Sequence, residues 1–375
     1  MSTTQTRIKR NILLNPGPAT TTDTVKYAQV VPDICHRERE FSNIVQEICS
    51  SLTTIASTPS NTKTILIGGS GTAAIESVLS SIFTNHHHAY VINNGAYGER
   101  LCQILDCYNV HYTAYKSDPC TPLNHTEIKH QLTKGQYTHL LAVHHETTTG
   151  LLNNIHSLGQ FANQFNLSFI VDAMSSFGAI PIDMNIMNID YLISSSNKNI
   201  QGMAGVGIVL AKKKALNTIK DIPANSFYLN LYKQYKSLST TGIFQFTPPV
   251  QTIYALQHAL VELKEEGIQN RYSRYVNCWE TLIKGLKTLG LKTLVDHKHH
   301  SKLLTTVVEP ENFDFTNCHD YLYDHGFTIY PGKINHETTF RIANIGDLHP
   351  DDIKSFLVYL EQYLNKKNMF TKNMT

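Results

Sequence analysis

A chain of 375 residues, 41% hydrophobic and 17% charged, can bury a sizeable core, and its length suggests two or three domains, or one large and one small. A net charge of +2 without a long basic block gives no reason to invoke nucleic acid, and no run of eighteen apolar residues argues for a membrane span. The segment MSTTQTRIKRN lacks the apolar stretch of a signal peptide, and seven cysteines without C-x-x-C spacing fit reduced thiols in the cytoplasm.

From about residue 64 to 215, short apolar runs alternate with helical periodicity. TILI is followed by Ile75, Val78, Leu79 and Ile82, which share one helix face. AYVI precedes a helical pattern through GERLCQILDCYN, then VHYTAY. HLLAV, a helix around LGQFANQF, FIVD, YLIS and VGIVLA complete the series. The alternation predicts an α/β fold with a mostly parallel sheet and helices on both faces. The polar triplet His86–His88 and the run His297, His299, His300 read as surface loops, since neither has the spacing of a zinc pair. QTIYALQHALVELKEE reads as a long helix that Gly267 could end. The division is placed there, giving a large domain over 1–265 and a small α+β domain over 266–375. In the latter, strands are expected at KLLTTVVE, TIYP and TFRIANI, and helices at CHDYLYDHG and HPDDIKSFLVYLEQYL, the last starting at Pro350. The tail NKKNMFTKNMT has no periodicity and reads as frayed.

In sheets of this kind, ligands gather beyond the carboxyl ends of the strands. Four features fall there. The turn GGSGTAA joins a strand to a helix, and the free N–H groups of that first turn, with hydroxyls from Ser70 and Thr72, suit a phosphate. It lacks both the dinucleotide and the P-loop spacing, and such turns are common. Asp172 closes an apolar strand, where a carboxylate needs a partner. That partner could be the pyridine nitrogen of pyridoxal phosphate, or Asp172 could cap the next helix. Lys198 follows one strand later. A Schiff-base lysine there would need burial near another cation to lower its pKa; an exposed loop lysine is the alternative. Tyr97, in NNGAYGER, could stack on a flat ring or pack on the surface. In HHETTTG, Thr147 could reach a cofactor oxygen, or the loop could be merely polar. Mid-strand Arg341 among apolar residues points to an anionic ligand or to an internal salt bridge. A strand-end lysine, a strand-end carboxylate and a phosphate cradle together are what a pyridoxal-phosphate site requires.

Taken together, Pro16-Gly17-Pro18, GGSGTAAIES, NNGAYGER, HHETTTGLLNNI, VDAMSSFGAIPIDM and FRIANIGDL resemble the class V aminotransferases, fold-type I pyridoxal-phosphate enzymes, over nearly the whole chain. The strings are nearer to the branch that exchanges an amino group between an aminophosphonate and pyruvate than to the alanine–glyoxylate branch. The resemblance implies that Ser70, Gly71 and Thr72 bind the cofactor phosphate. It implies that Tyr97 stacks on the ring, Thr147 contacts its hydroxyl side and Asp172 pairs with its nitrogen. Lys198 would carry the cofactor and shuttle the proton, and Arg341 would bind the substrate anion. Thr247 would reach the phosphate of the partner subunit, making a homodimer part of the site. A role for Arg37, in ICHREREFS, is not carried over; it is a candidate second donor for the anion. Rival readings are an alanine–glyoxylate or serine–pyruvate transaminase, a cysteine desulfurase, which would need a mobile cysteine where Cys318 lies in an apolar helical pattern, and a non-catalytic nucleotide-binding module.

Overall fold

The computed structural model describes residues 8–334 and 337–366, so the tail beyond Lys366 lies outside the described residues. The alternating runs form a seven-stranded sheet. In chain order its strands are β1 Thr62–Gly68, β2 His88–Asn93, β3 His111–Lys116, β4 His139–Val143, β5 Ser168–Asp172, β6 Tyr191–Ser195 and β7 Val206–Lys212. Their spatial order is β1-β7-β6-β5-β4-β2-β3. The strands from β6 across to β3 are parallel; the inner ones are apolar runs, as a sheet covered on both faces requires, while the edge strand β3 is partly exposed. β7 runs against both β6 and β1. The link over residues 196–205 contains no helix that could make a crossover, so β7 must return antiparallel.

Helices α1 Arg39–Ala56, α2 Gly71–Ile82 and α3 Ala96–Cys107 pack on this sheet, and α4 Val250–Glu266 packs on α1. Gly267, in a positive-φ conformation, ends α4, and α5 Ile268–Thr288 begins at once. The sequence pattern passed over α5 because its inward stripe starts with Arg271 before Tyr275, Cys278 and Leu282. A second, smaller core lies under a three-stranded antiparallel sheet of β8 Leu304–Val308, β9 Tyr330–Ile334 and β10 Glu337–Ala343, in the order β8-β10-β9. It is closed by α5 and α6 Pro350–Lys366, whose buried stripe is Ile353, Phe356 and Leu360.

The N-terminal segment does not pack with the large core. Ile12–Leu13 pairs in parallel with Phe327–Thr328, and Ile12 and Leu14 are buried in the smaller cluster. Arg10 clasps Asp352 at 2.6 Å. The division near residue 265 remains our proposal, with this strand assigned by packing to the smaller unit. The histidine runs also differ from expectation. His88 starts β2, and His300 is buried against Trp279, ring centroids 5.2 Å apart, because the loop after the turn at His297–His299 folds inward onto α5.

Candidate active site

Beyond the carboxyl ends of β1, β2, β5 and β6 lies a cavity of about 390 Å³, and its wall includes Ser70, Gly71, Thr72, Tyr97, Asp172 and Lys198. Six positions scattered over 129 residues of sequence, from 70 to 198, thus face one space, because each follows a strand of the same sheet.

At one end, the N-terminus of α2 points into the cavity. Ser70 is its N-cap, its hydroxyl accepting from Ala73 N–H at 3.3 Å. The turn is tied to the start of β7 by Gly69 N–H donating to the Gly205 carbonyl at 2.9 Å. Gly71 has no room for a side chain: a Cβ would lie 2.6 Å from Cε of Met174 and closer still to its sulfur.

At the floor, the Asp172 carboxylate is 2% exposed. Its Oδ1 accepts from Met174 N–H at 2.9 Å, and its Oδ2 accepts from Arg100 Nη2 at 2.7 Å. The carboxylate therefore turns the following chain with one oxygen and meets a cation with the other; the segment after it is a run of turns, so the helix it was considered to cap is not there.

Lys198 crosses the cavity from the loop after β6. Its Nζ donates to the Pro16 carbonyl at 2.6 Å. Gly17 passes directly beneath it at φ +128°, where a Cβ would overlap the lysine's outer carbons. Burial pushes the Lys198 amine down to about 8; the positive charge of Arg100 helps, Asp172 opposes, and Arg341 adds a smaller push the same way. The loop is held by Gln201 N–H on the Lys198 carbonyl at 2.9 Å, and by Arg271 Nη1 on the Asn199 carbonyl at 2.8 Å. Of the serines before Lys198, Ser195 faces the cavity, while Ser196 donates to the Met203 carbonyl at 2.5 Å.

Tyr97 sits in the first turn of α3, its N–H on Glu146 Oε2 at 3.2 Å. Glu146 is fully buried and also accepts from Thr148 N–H at 3.1 Å and Thr148 Oγ1 at 2.6 Å. Burial pushes its carboxyl up, while these bonds to Thr148 and Tyr97 work the other way. Next to it, His145 lines the cavity between the Ser175 carbonyl at 3.1 Å and the Ser301 hydroxyl at 2.8 Å; burial pushes its imidazole down to about 4, so it is neutral.

Arg341 is 9% exposed in the middle of β10. Its Nε and Nη2 donate to the Pro331 carbonyl at 3.2 and 2.8 Å, its Nη1 to the Thr147 carbonyl at 3.4 Å, and its guanidinium lies 4.7 Å from the Tyr330 ring centroid. Among the described residues no carboxylate forms a salt bridge with it. The internal salt bridge considered from sequence is therefore not what fixes it.

Four anticipated residues, Arg341, Thr147, Thr247 and Arg37, do not line the cavity of the single chain. Thr147 is buried and meets Arg341 through its carbonyl. Thr247 is exposed beside the stacked rings of Tyr228 and Phe246, and Arg37 is exposed in the turn before α1. Conversely, sequence reasoning marked the strand-end segment His144–Thr149 but gave no role to His145 or Glu146, and none to Arg100. For Arg100 a signal existed: three positions after Tyr97, it shares that residue's helix face.

Residues 21–346 match the family model for aminotransferase class V. The chain belongs to the class V aminotransferase family. It is 40% identical over 362 residues to a bifunctional phosphonoacetaldehyde hydrolase/aminoethylphosphonate transaminase of Clostridioides difficile, covering 95% of this chain but 56% of that longer protein. It is 39% identical over 347 residues to a 2-aminoethylphosphonate–pyruvate transaminase of Bacillus mycoides, covering 91% of this chain and 94% of the relative. Among solved structures, an alanine–glyoxylate aminotransferase from Nostoc superposes with a TM-score of 0.90 at 24% identity over 97% of this chain and 98% of its own. A ureidoglycine–glyoxylate aminotransferase from Bacillus subtilis superposes with a TM-score of 0.90 at 22% identity over 98% of this chain and 96% of its own. These structures share the fold-type I architecture of this class V family member.

Proposed function

We propose that this aminotransferase moves the amino group of 2-aminoethylphosphonate to pyruvate, giving phosphonoacetaldehyde and L-alanine, with pyridoxal 5'-phosphate as cofactor. The observation that carries the choice is Arg341, a buried guanidinium without a carboxylate partner that lowers the pKa of Lys198, in a chain about 40% identical to aminoethylphosphonate transaminases. The donor set fits the cofactor: an amine of depressed pKa, a buried carboxylate and a helix N-terminus face one cavity, where Arg100 Nε is buried without a partner. Ser70, Gly71 and Thr72 would hold the phosphate, Tyr97 the ring face, Thr147 the hydroxyl side and Asp172 the ring nitrogen. Thr247 of a second copy would complete the phosphate site of a homodimer, and the enzyme would work in the cytoplasm.

When bound, pyridoxal phosphate supplies the conjugated ring that delocalises the electron pair left when the amine-bearing carbon loses its proton. The chain's own groups do the rest. With its pKa near 8, Lys198 Nζ is neutral often enough near neutral pH to take that proton as general base. In the return half it delivers one to the carbon derived from the carbonyl of pyruvate. Asp172 sets its carboxylate at the floor, hydrogen-bonded to Arg100. Arg341 orients the substrate by its anion. The carboxylate of alanine is bonded directly to the reacting carbon, whereas the phosphorus of aminoethylphosphonate lies one carbon further out. Arg341 is fixed by Pro331 and Tyr330, so we propose Arg37 as a second donor. An unchanged KM for aminoethylphosphonate in Arg37→Ala, with a raised KM in Arg341→Ala, would remove Arg37 from the site.

An alanine–glyoxylate or serine–pyruvate transaminase is the second reading, favoured by the shared fold with the Nostoc enzyme. A panel of amino donors with pyruvate and glyoxylate as acceptors separates the two. Turnover of aminoethylphosphonate with pyruvate supports the proposal; turnover of alanine with glyoxylate, and none of aminoethylphosphonate, overturns it. Desulfurase chemistry has no support in the geometry, since Cys318 is fully buried in the small core.

A further inference from the structure

We propose that Arg100 is a positioning residue for the reaction: one guanidinium orients the Asp172 carboxylate, braces the phosphate turn and sets its positive charge near the Lys198 amine. This rests on the reading of Lys198 and Asp172 given above.

The geometry is a fork with three prongs. Nη2 donates to Asp172 Oδ2 at 2.7 Å, Nη1 reaches the Thr72 hydroxyl at 3.4 Å, and Cζ lies 4.7 Å from the Tyr97 ring centroid. α3 thereby delivers one planar cation to three other features of the site. The planar fork is what makes this simultaneous; an ammonium group is a single point charge and cannot span Asp172 and Thr72 in one plane. The Asp172 side chain is 1% exposed and the Arg100 side chain 23% exposed, so screening by water is weak at the carboxylate end.

The remaining charges around these groups cannot replace Arg100. Facing Lys198 are Asp172 from β5, Arg341 from β10 and His145 from the loop after β4; of these, Asp172 favours the charged amine and His145 is neutral. Facing Asp172, besides Arg100 and Lys198, is buried Glu146, which is negative or protonated but never positive. Arg100 is the larger of the two cationic influences that lower the Lys198 pKa.

The test compares Arg100→Gln and Arg100→Lys with the parent, using two readouts. The first is the pH dependence of acetic anhydride labelling at Lys198 in the full chain before pyridoxal phosphate is added, read by peptide mass spectrometry. The second is the dissociation constant of pyridoxal phosphate. Arg100→Gln should raise the labelling midpoint by about one pH unit, the scale a neighbouring charge sets. Arg100→Lys should restore most of that midpoint, while its cofactor affinity stays about tenfold weaker, because the Thr72 prong and the planar contact with Tyr97 are lost. An unmoved midpoint in Arg100→Gln overturns the proposal, as does an Arg100→Lys variant that binds pyridoxal phosphate like the parent. Should Arg100→Gln fail to fold, Arg100→Lys alone decides through its affinity. Because the labelling needs no cofactor, a shifted midpoint in a chain that takes up no pyridoxal phosphate would sink the functional reading and leave the electrostatic role of Arg100 standing.

Discussion

Replacing Gly17 by alanine probes how closely the N-terminal segment is fitted to Lys198. Two costs follow from the structure. At φ +128° an L-residue is strained, at about 1–3 kcal/mol. The new Cβ would also lie 2.7 Å from Cε of Lys198 and nearer still to Cδ and Nζ, so the side chain must leave. Leaving breaks the 2.6 Å bond to the Pro16 carbonyl, a hydrogen bond to a charged donor worth about 1.5–3 kcal/mol. The sum is a destabilisation of about 2.5–6 kcal/mol. The functional loss should be larger, since an amine displaced by about 1 Å costs roughly a hundredfold in rate. Urea unfolding followed by circular dichroism measures the first quantity. The second is kcat with aminoethylphosphonate and pyruvate, with borohydride trapping and mass spectrometry reporting whether Lys198 still captures the cofactor. A Gly17→Ala variant with the parent's unfolding midpoint and at least half its kcat would refute this account of the contact.

The pH dependence of stability tests the depressed amine. Unfolded Lys198 keeps its proton up to about its ordinary 10.5, whereas the folded amine releases it at about 8. Between those values the unfolded chain holds more protons, so the stability due to Lys198 rises with pH. Lys198→Met should therefore be more stable than the parent near pH 7, by about 3 kcal/mol, with the gap closing as pH rises from 8 towards 10; parallel stability curves would contradict this. Arg271→Met removes a nearly buried guanidinium that binds Glu266 at 2.7 Å and the Asn199 carbonyl at 2.8 Å. It should cost about 3–5 kcal/mol in denaturant unfolding, and a loss under about 1 kcal/mol would mean the pair is dispensable. Arg341→Gln should leave cofactor uptake intact and raise the KM for aminoethylphosphonate by about ten- to a hundredfold, the range of a charged hydrogen bond; an unchanged KM would move the anion site elsewhere.

The site was legible in the sequence wherever one strand ended in one unusual residue. Asp172 and Lys198 could be seen because a parallel strand announces itself as an apolar run, and a charge at its carboxyl end stands out. The Ser70–Thr72 turn was visible as glycines between a strand and a helix. Arg100 was legible only as a neighbour of Tyr97 on one helix face; its role was not, because its distance to Asp172 appears only in three dimensions. Glu146 and His145 lie in a polar string that gives no sign of its burial, and His145 is covered by Ser301 from far along the chain. The direction of β7 and the pairing of Ile12–Leu13 with Phe327–Thr328 arise between segments, and no local pattern encodes them. Arg341 was legible as an oddity, but its neighbours Pro331 and Tyr330 come from an adjacent strand and so appeared only in three dimensions.

The pairing of Ile12–Leu13 with Phe327–Thr328 bears on how the enzyme is made. The chain that leaves β-pairing at Leu13 reaches Pro16, whose carbonyl holds the Lys198 amine. A ribosome emits Ile12 long before Phe327, so throughout synthesis of the large sheet this strand waits without its partner. The clasp on Lys198 is tied on one side by Ala19 N–H on the Asn197 carbonyl at 3.0 Å, and on the other it waits for Phe327–Thr328 to emerge. Nascent chains should therefore acquire a folded sheet early and a competent lysine late.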